Sequence, residues 1–384
     1  MRKAKDWNQP CPNPVCDQYQ RMNPGNISAI ATYATQSGTR RIFKCRDCEG
    51  RFSETRDTVF FDLRRAEEKV MMALKLLLVR VELAPISFGL GVTEEPLIEG
   101  RRRAALKAEA INAHLLREVS LTHLQLDELW NFIAPKCSHA SDAQGESLAQ
   151  SDDGRQWIGL SYAPEYRLIG AAFVGPRTFE SPLHLIRMTA AGVARIPAFF
   201  SDCLSPYLPA LVGVYHRLQV FPRTGKPGRP RKPLLEPDPE WVYAPLSKQK
   251  RKGRLTVLGE RVVLGAEKLA RLGVNISTTL IERLNQTFRH PLSPLVPKSR
   301  SLCKTRTQRR RRVVFFQTFY NFARPHMSLR TAIPLHERVS KGLIQPRWSQ
   351  CTPAMAAGLT HYVWTFRELL TAKFEPVHYQ SISG

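Results

Sequence analysis

Two cysteine pairs constrain the N-terminal end of this chain more tightly than any other feature of the sequence. Cys11-Pro-Asn-Pro-Val-Cys16 and Cys45-Arg-Asp-Cys48 stand on either side of a β-rich spacer. Thiolates so close in sequence, repeated after such a spacer, are the donor set of a tetrahedral zinc ion. A segment of this size buries little apolar surface, whereas a structural zinc contributes about 10–16 kcal/mol of apparent binding free energy. One zinc held by Cys11, Cys16, Cys45 and Cys48 is therefore expected to organise residues 1–60 around a hairpin of Ile27–Tyr33 and Thr39–Phe43, with Gly38 between them. Redox chemistry at Cys45 and Cys48 would need a βαβ setting that the sequence does not offer. The other cysteines, Cys137, Cys203, Cys303 and Cys351, lack partner spacing and read as buried thiols.

The chain has 57 Lys and Arg against 33 Asp and Glu, a net charge of +24 over 384 residues. That excess points to nucleic acid or an anionic surface. No apolar run reaches membrane-span length and the first residues are polar, so no membrane partner is expected and DNA is favoured. Residues 61–119 read as helical. Val70, Ala73, Leu74, Leu77 and Leu78 form one stripe of a helix over Ala66–Val81, Pro85–Leu90 a short second helix, and Thr93 caps a third that carries Arg101, Arg102, Arg103 and Lys107. A helix-turn-helix and a three-helix linker with a solvated basic face both fit this pattern.

From Ser120 the reading is α/β. A strand over Thr122–Ile133 contains Asp127 and Glu128. A polar loop follows, then a hairpin of Gln156–Tyr162 and Arg167–Val174, a helix near Ser181–Ala194, and a strand Ile196–Ser201 running into Asp202. Residues 221–258 break the composition with prolines and basic residues. Pro227-Gly-Arg229-Pro-Arg231-Lys232 is close to the AT-hook core, which fits a narrow minor groove, and equally suits a solvated linker. Trp241–Tyr243 and Leu255–Leu264 are expected to return as strands.

Asn275–Arg289 then has a helical period. Leu280, Leu284 and Phe288 share one face, and Glu282, Gln286 and Arg289 another. One carboxylate beside amide and guanidinium donors suits a metal-bound phosphate, and a solvated Glu/Arg pair is the plainer alternative. Lys298, Arg300 and Lys304 extend its basic end. Arg309–Arg312 opens a helix to Phe322, either a solvated face or a grip on phosphates. His326 after Arg324-Pro325 reads as a helix-terminal structural histidine or a DNA contact, and residues 331–384 as a helical appendage.

Leu126-Asp127-Glu-Leu-Trp130, Phe200-Ser-Asp202 with Tyr207 soon after, and Glu282-Arg-Leu-Asn285 with its basic tail occur in an order that resembles the DDE transposases of bacterial insertion sequences. The closest likeness is to the branch with an N-terminal zinc-binding segment, and it runs from Cys11 to about Leu370, taking in Tyr320-Asn-Phe-Ala-Arg-Pro-His326 and Thr352-Pro-Ala-Met-Ala-Ala-Gly-Leu359. Cys203 stands where that family has Gly. The resemblance implies a multidomain chain: a zinc ribbon at 1–60, a helix-turn-helix-like segment at 61–119, an RNase H-like α/β catalytic core at 120–330 with the basic Pro-rich insertion at 221–258, and the helical tail at 331–384. It further implies catalysis by Asp127, Asp202 and Glu282 with two magnesium or manganese ions. Cleavage at element ends would be followed by transfer of the freed 3′-hydroxyl to target DNA, by a homo-oligomer assembled on double-stranded DNA in the cytoplasm. Two metals held about 3.5–4 Å apart on the attacking and leaving oxygens explain the need for several carboxylates. Glu128, alternating to the other strand face, is expected to stand apart, and Glu260 and Glu267 are the fallback third acids. The alternative is a zinc-ribbon, helix-turn-helix DNA-binding regulator with an inactive core. The DNA-binding set on this reading is Arg101, Arg102, Arg103, Arg229, Arg231, Lys232, Arg289, Lys298, Arg300 and Lys304.

Overall fold

The computed structural model describes residues 9–21, 25–63, 65–133, 154–176, 178–222, 231–251, 254–289, 305–340 and 346–374, together with Trp7, Leu343 and Ile344. The chain divides into two compact units. One comprises residues 1–116, 291–293 and 311–384, and the other residues 117–290 and 294–310.

The first unit begins with an antiparallel sheet of β1 (Ile27–Thr35), β2 (Gly38–Cys45) and β3 (Arg51–Ser53). The hairpin is longer than its periodicity predicts, because Gly38 takes a φ of +102° that closes a two-residue turn opposite Thr35. Beneath it lie Ile27, Phe43 and Phe52 with the cysteines. Helices α1 (Glu67–Leu78), α2 (Leu83–Leu90) and α3 (Glu94–Leu115) follow and pack pairwise. α1 stops short of Val81 because Arg80 adopts a left-handed φ of +74°. α2 starts before Pro85, which sits in its first turn, where no backbone N–H is required. Gly91 ends α2 in the left-handed conformation, and Thr93 occupies the N-cap of α3 without making the expected side-chain bond.

In the second unit, β4 (His123–Ile133), β5 (Gly154–Ala163) and β6 (Leu168–Pro176) form an antiparallel meander. α4 (Glu180–Ala190) leads to β7 (Ala198–Asp202), which lies parallel to β4. After α5 (Tyr207–Val214), an exposed two-stranded hairpin of β8 (His216–Gln219) and β9 (Leu234–Pro237) occupies part of the region expected as linker. β10 (Val242–Arg251) then pairs parallel with β7, and β11 (Arg254–Glu260) closes that edge. The six-stranded mixed sheet runs β11-β10-β7-β4-β5-β6. Leu124, Leu126, Ile158, Leu160, Phe199 and Phe200 bury its centre, as near-continuous apolar runs in central strands require. Gly265, at a φ of +74°, opens α6 (Ala266–Leu272), and a Cβ there would stand 2.7 Å from the Trp241 carbonyl. α7 (Thr279–Arg289) packs on β4.

α8 (Arg306–Thr318) runs on into a π-helical turn, Phe319–Ala323. Beyond it, α9 (Pro353–Ala356) and α10 (Phe366–Thr371) belong to the first unit, so the tail is part of that body rather than an appendage. The Val59 N–H donates to Leu370 O at 3.0 Å, and Lys373 Nζ donates to Gln9 Oε1 at 2.5 Å. Glu67, buried, pairs with Arg40 and, at 2.6 Å, with Arg367. Thr365 and Glu368 form a complete capping box at the start of α10. Among the described residues no helix is long and apolar enough to cross a membrane.

Candidate active site and metal centre

The parallel register of β4 and β7 sets Leu126 level with Ser201, so Asp127 and Asp202 leave neighbouring strands at the same height. β7 ends at Asp202, and β4 runs on past it to Ile133. Carboxylate oxygens of Asp127, Glu128 and Asp202 lie within 4.8 Å of one another. Glu128 thus corrects the expectation that it stands apart. Its residue does alternate to the other face, opposite Gly159, but it lies just past the level where β7 ends, and its carboxylate still comes within 4.8 Å of the other two.

Glu282 comes from α7, which is anchored to the strand from below. Gln125 is buried on the same face as Asp127, and its Oε1 accepts the Ile281 N–H at 2.8 Å, satisfying one of the unbonded donors in the first turn of α7. Thr278 Oγ1 donates to Glu282 Oε1 at 3.3 Å. One turn on, Asn285 Nδ2 donates to Asp127 Oδ2 at 2.6 Å, while the Glu128 N–H donates to Asp127 Oδ1 at 2.8 Å. The buried face of α7 is Ile281, Leu284, Asn285 and Phe288, with Leu280 only half-buried, so the helix is rotated from the Leu280–Leu284–Phe288 stripe. Gln286 faces solvent, and Asn285, not Gln286, is the amide beside the acids. Its spacing of three residues from Glu282 was the available signal.

Burial raises the Asp127 carboxyl to about 6, and the charges of Asp202 and Glu282 push it the same way against the bonds from Glu128 N–H and Asn285. Glu282 lies outside the 4.8 Å grouping, yet its charge is felt at Asp127. Tyr207 is buried behind the cluster, and its hydroxyl is pushed well above the ordinary value by that burial and by Glu128. Crowded, partly dehydrated carboxylates of this kind suit a hard divalent cation, which relieves their repulsion. Cys203, contrary to expectation, is exposed. It is absent from the residues with positive φ, so this position makes no demand for Gly. Glu267 is exposed on α6, and the Glu260 side chain lies outside the described residues.

The four N-terminal cysteines converge as their spacing predicts. Cys11 Sγ lies 3.6 Å from Cys48 Sγ and Cys16 Sγ lies 3.9 Å from Cys45 Sγ, with all four sulfurs within 4.8 Å. Zn–S bonds of about 2.3 Å in a tetrahedron require S···S edges of about 3.8 Å, so the donor set fits zinc. Asn26 Nδ2 donates to Cys45 Sγ at 3.1 Å and the Gln18 N–H to Cys16 Sγ at 3.4 Å, the outer bonds that orient metal thiolates. Burial pushes the Cys11 thiol up, whereas Asn13 and the Gly50 N–H hold Cys48 at about 7.

The expected basic contacts divide. Arg101 is buried, at 5% exposure, and so offers no surface guanidinium. Arg102 and Arg103 both bond Glu99, and Arg103 also reaches the Phe61 carbonyl. Lys107 Nζ bonds the Asp57 carbonyl. The first turn of α3 presents Glu94 and Glu95. A helix-turn-helix reader puts that turn at base edges among phosphates, so α2 and α3 have the form of the motif without the basic surface expected of it. Arg231 and Lys232 are exposed, with Arg231 over the Phe221 ring, and Arg289 is half-buried. Arg229, Lys298, Arg300 and Lys304 lie outside the described residues. In the basic run, Arg309 is buried and Arg312 pairs with Glu82 at 3.1 Å. His326 Nδ1 is bonded within its own turn to Ser328, and its backbone N–H to Cys351 O. No protein-family model and no curated protein matches this sequence.

Proposed function

We infer that the chain is a DDE-type transposase that cuts DNA at element ends and joins them to target DNA. The observation that carries this is the meeting of Asp127, Glu128 and Asp202 on adjacent parallel strands, at the level where β7 ends, with Glu282 brought alongside by a helix anchored through Gln125. The strand order supports an RNase H-like core: an antiparallel meander whose first strand is central and is continued on its other side by β7 and then β10, both parallel to it. Asp127, Asp202 and Glu282 would hold magnesium or manganese, with Glu128 at the edge of the cluster, and a pair of such ions stabilises the attacking and leaving oxygens of a phosphodiester displacement. Asn285 fixes the rotamer of Asp127, and Gln125 fixes the register of α7 against β4, so the acids are placed before substrate arrives. Cys11, Cys16, Cys45 and Cys48 would hold one zinc, which shapes a DNA-binding segment at the N-terminus. Double-stranded DNA is the partner on this reading, bound by a homo-oligomer in the cytoplasm.

The test uses labelled duplexes carrying the DNA that flanks the gene, incubated with the full chain and magnesium or manganese, beside gel-shift binding of the same duplexes. Nicking is expected from the parent and from neither Asp127→Asn nor Asp202→Asn, with binding retained by all three. Glu282→Gln and Glu128→Gln, compared in the same assay, decide which of the two completes the site. A parent that binds these ends and never cuts them establishes the regulator instead.

A further inference from the structure

Glu128 links the acidic cluster to a cavity of the second unit. Register across the sheet places Glu128 opposite Gly159 on β5, and Gly159 opposite Phe173 on β6, one row on the face covered by α4. The middle member of that row has no side chain, and a Cβ there would meet Leu185 Cδ2 at 3.1 Å. The result is a slot of about 230 Å³ with Glu128 and Tyr207 at one end and Trp157, Phe173 and Phe179 among its walls. Phe173 is braced from behind by His184, stacked at 5.2 Å between centroids and 10° between planes. Phe179 stands at the mouth with 59% of its surface exposed.

An apolar slot with aromatic walls suits a flat ring, and a carboxylate at its end accepts from an amino group. Its position beside carboxylates suited to a phosphodiester narrows the ring to a base attached to that backbone. We propose that this cavity receives one unstacked nucleobase bearing an exocyclic amino group, adenine, cytosine or guanine, with its face against Phe179 and its amine donating to Glu128. The choice of DNA as the carrier rests on the transposase reading, whereas the slot and its acceptor do not. Withdrawing a base next to the reacting phosphate costs unstacking, which is smallest in strands already single. Adenine and cytosine both present an amine where thymine presents a carbonyl, so the carboxylate accepts from the first two and repels the third.

The test measures fluorescence anisotropy of labelled single strands of deoxyadenosine, deoxycytidine, deoxythymidine and abasic residues with the full chain. It is run in EDTA, at salt high enough to suppress the abasic strand. The adenine and cytosine strands are expected to bind about tenfold more tightly than the thymine strand. Phe179→Ala is expected to weaken both by about tenfold, and because Phe179 is largely exposed its loss leaves the melting temperature unchanged. Glu128→Gln, whose amide can donate as well as accept, is expected to erase the preference for an amine. Equal affinity for all four strands, or unchanged affinity in Phe179→Ala, overturns the proposal. No cleavage occurs in EDTA, so these results stand or fall apart from the nicking assay.

Discussion

Asp127→Asn is expected to stabilise the metal-free protein while disabling it. Asp127 is raised from 3.8 to about 6 by burial and by its acidic neighbours. Its ionised form is therefore less favourable in the folded chain than in the unfolded one. Below 3.8 both states hold the proton and the effect is absent. It grows as pH rises through the window to about 6, and above that the folded protein bears the full cost, about 3 kcal/mol. Asparagine removes the charge, and its Oδ1 still accepts from a backbone N–H. Part of the gain is lost in readjusting the Asn285 amide, leaving about 2 kcal/mol, or about 4–8 °C in melting temperature for a unit of this size. The assay is thermal unfolding of parent and variant in EDTA from pH 4 to pH 8, repeated with magnesium. The parent should fall relative to the variant as pH rises, and magnesium should raise the parent alone, because only it keeps the full acidic set. Parallel curves for the two proteins across that pH range in EDTA would refute the assigned environment of Asp127.

Serine at Cys11, Cys16, Cys45 or Cys48 should each release zinc, measured by elemental analysis of the purified chain, whereas Cys203→Ser should retain it. Gln125→Leu leaves the Ile281 N–H buried without its acceptor, so it should cost about 1–3 kcal/mol in urea unfolding and lower nicking with DNA binding intact. Glu67→Ala removes a buried carboxylate shared by Arg40 and Arg367. It should destabilise the first unit by about 3 kcal/mol, seen as a lower transition in calorimetry.

How much of this was legible in the sequence depended on how far each contact reaches. The cysteine pairs and the strands that carry Asp127 and Asp202 announce themselves locally, through spacing and through apolar runs that meet an acid. The rotation of α7 did not. Leu280 and Ile281 are both apolar, and only the bond from Ile281 N–H to Gln125, far away in the chain, selects the second. Glu128 was misplaced because alternation fixes the face a residue leaves from and not the reach of its side chain, and past the last residue of β7 no strand stands between the two faces on that side. Arg101 looked like part of a basic face, but the small residues Ala104, Ala105 and Ala108 that follow mark the buried side of α3. The β8–β9 hairpin was hidden by a proline-rich and basic composition, which describes its surroundings better than its strands.

The first unit is written in two passages of the chain, residues 1–116 and 311–384, with most of the second unit between them. On a ribosome adding about 5–20 residues per second, the roughly 200 intervening residues take about 10–40 s. During that interval the cysteine-bearing segment exists without Leu370, Arg367 and Lys373, the groups that later bond Val59, Glu67 and Gln9. The second unit has its whole sheet in one continuous stretch and can close first. Completion of the first unit thus waits on synthesis of the segment with Arg367, Leu370 and Lys373, and a chain that stops before it leaves Val59, Glu67 and Gln9 with partners missing.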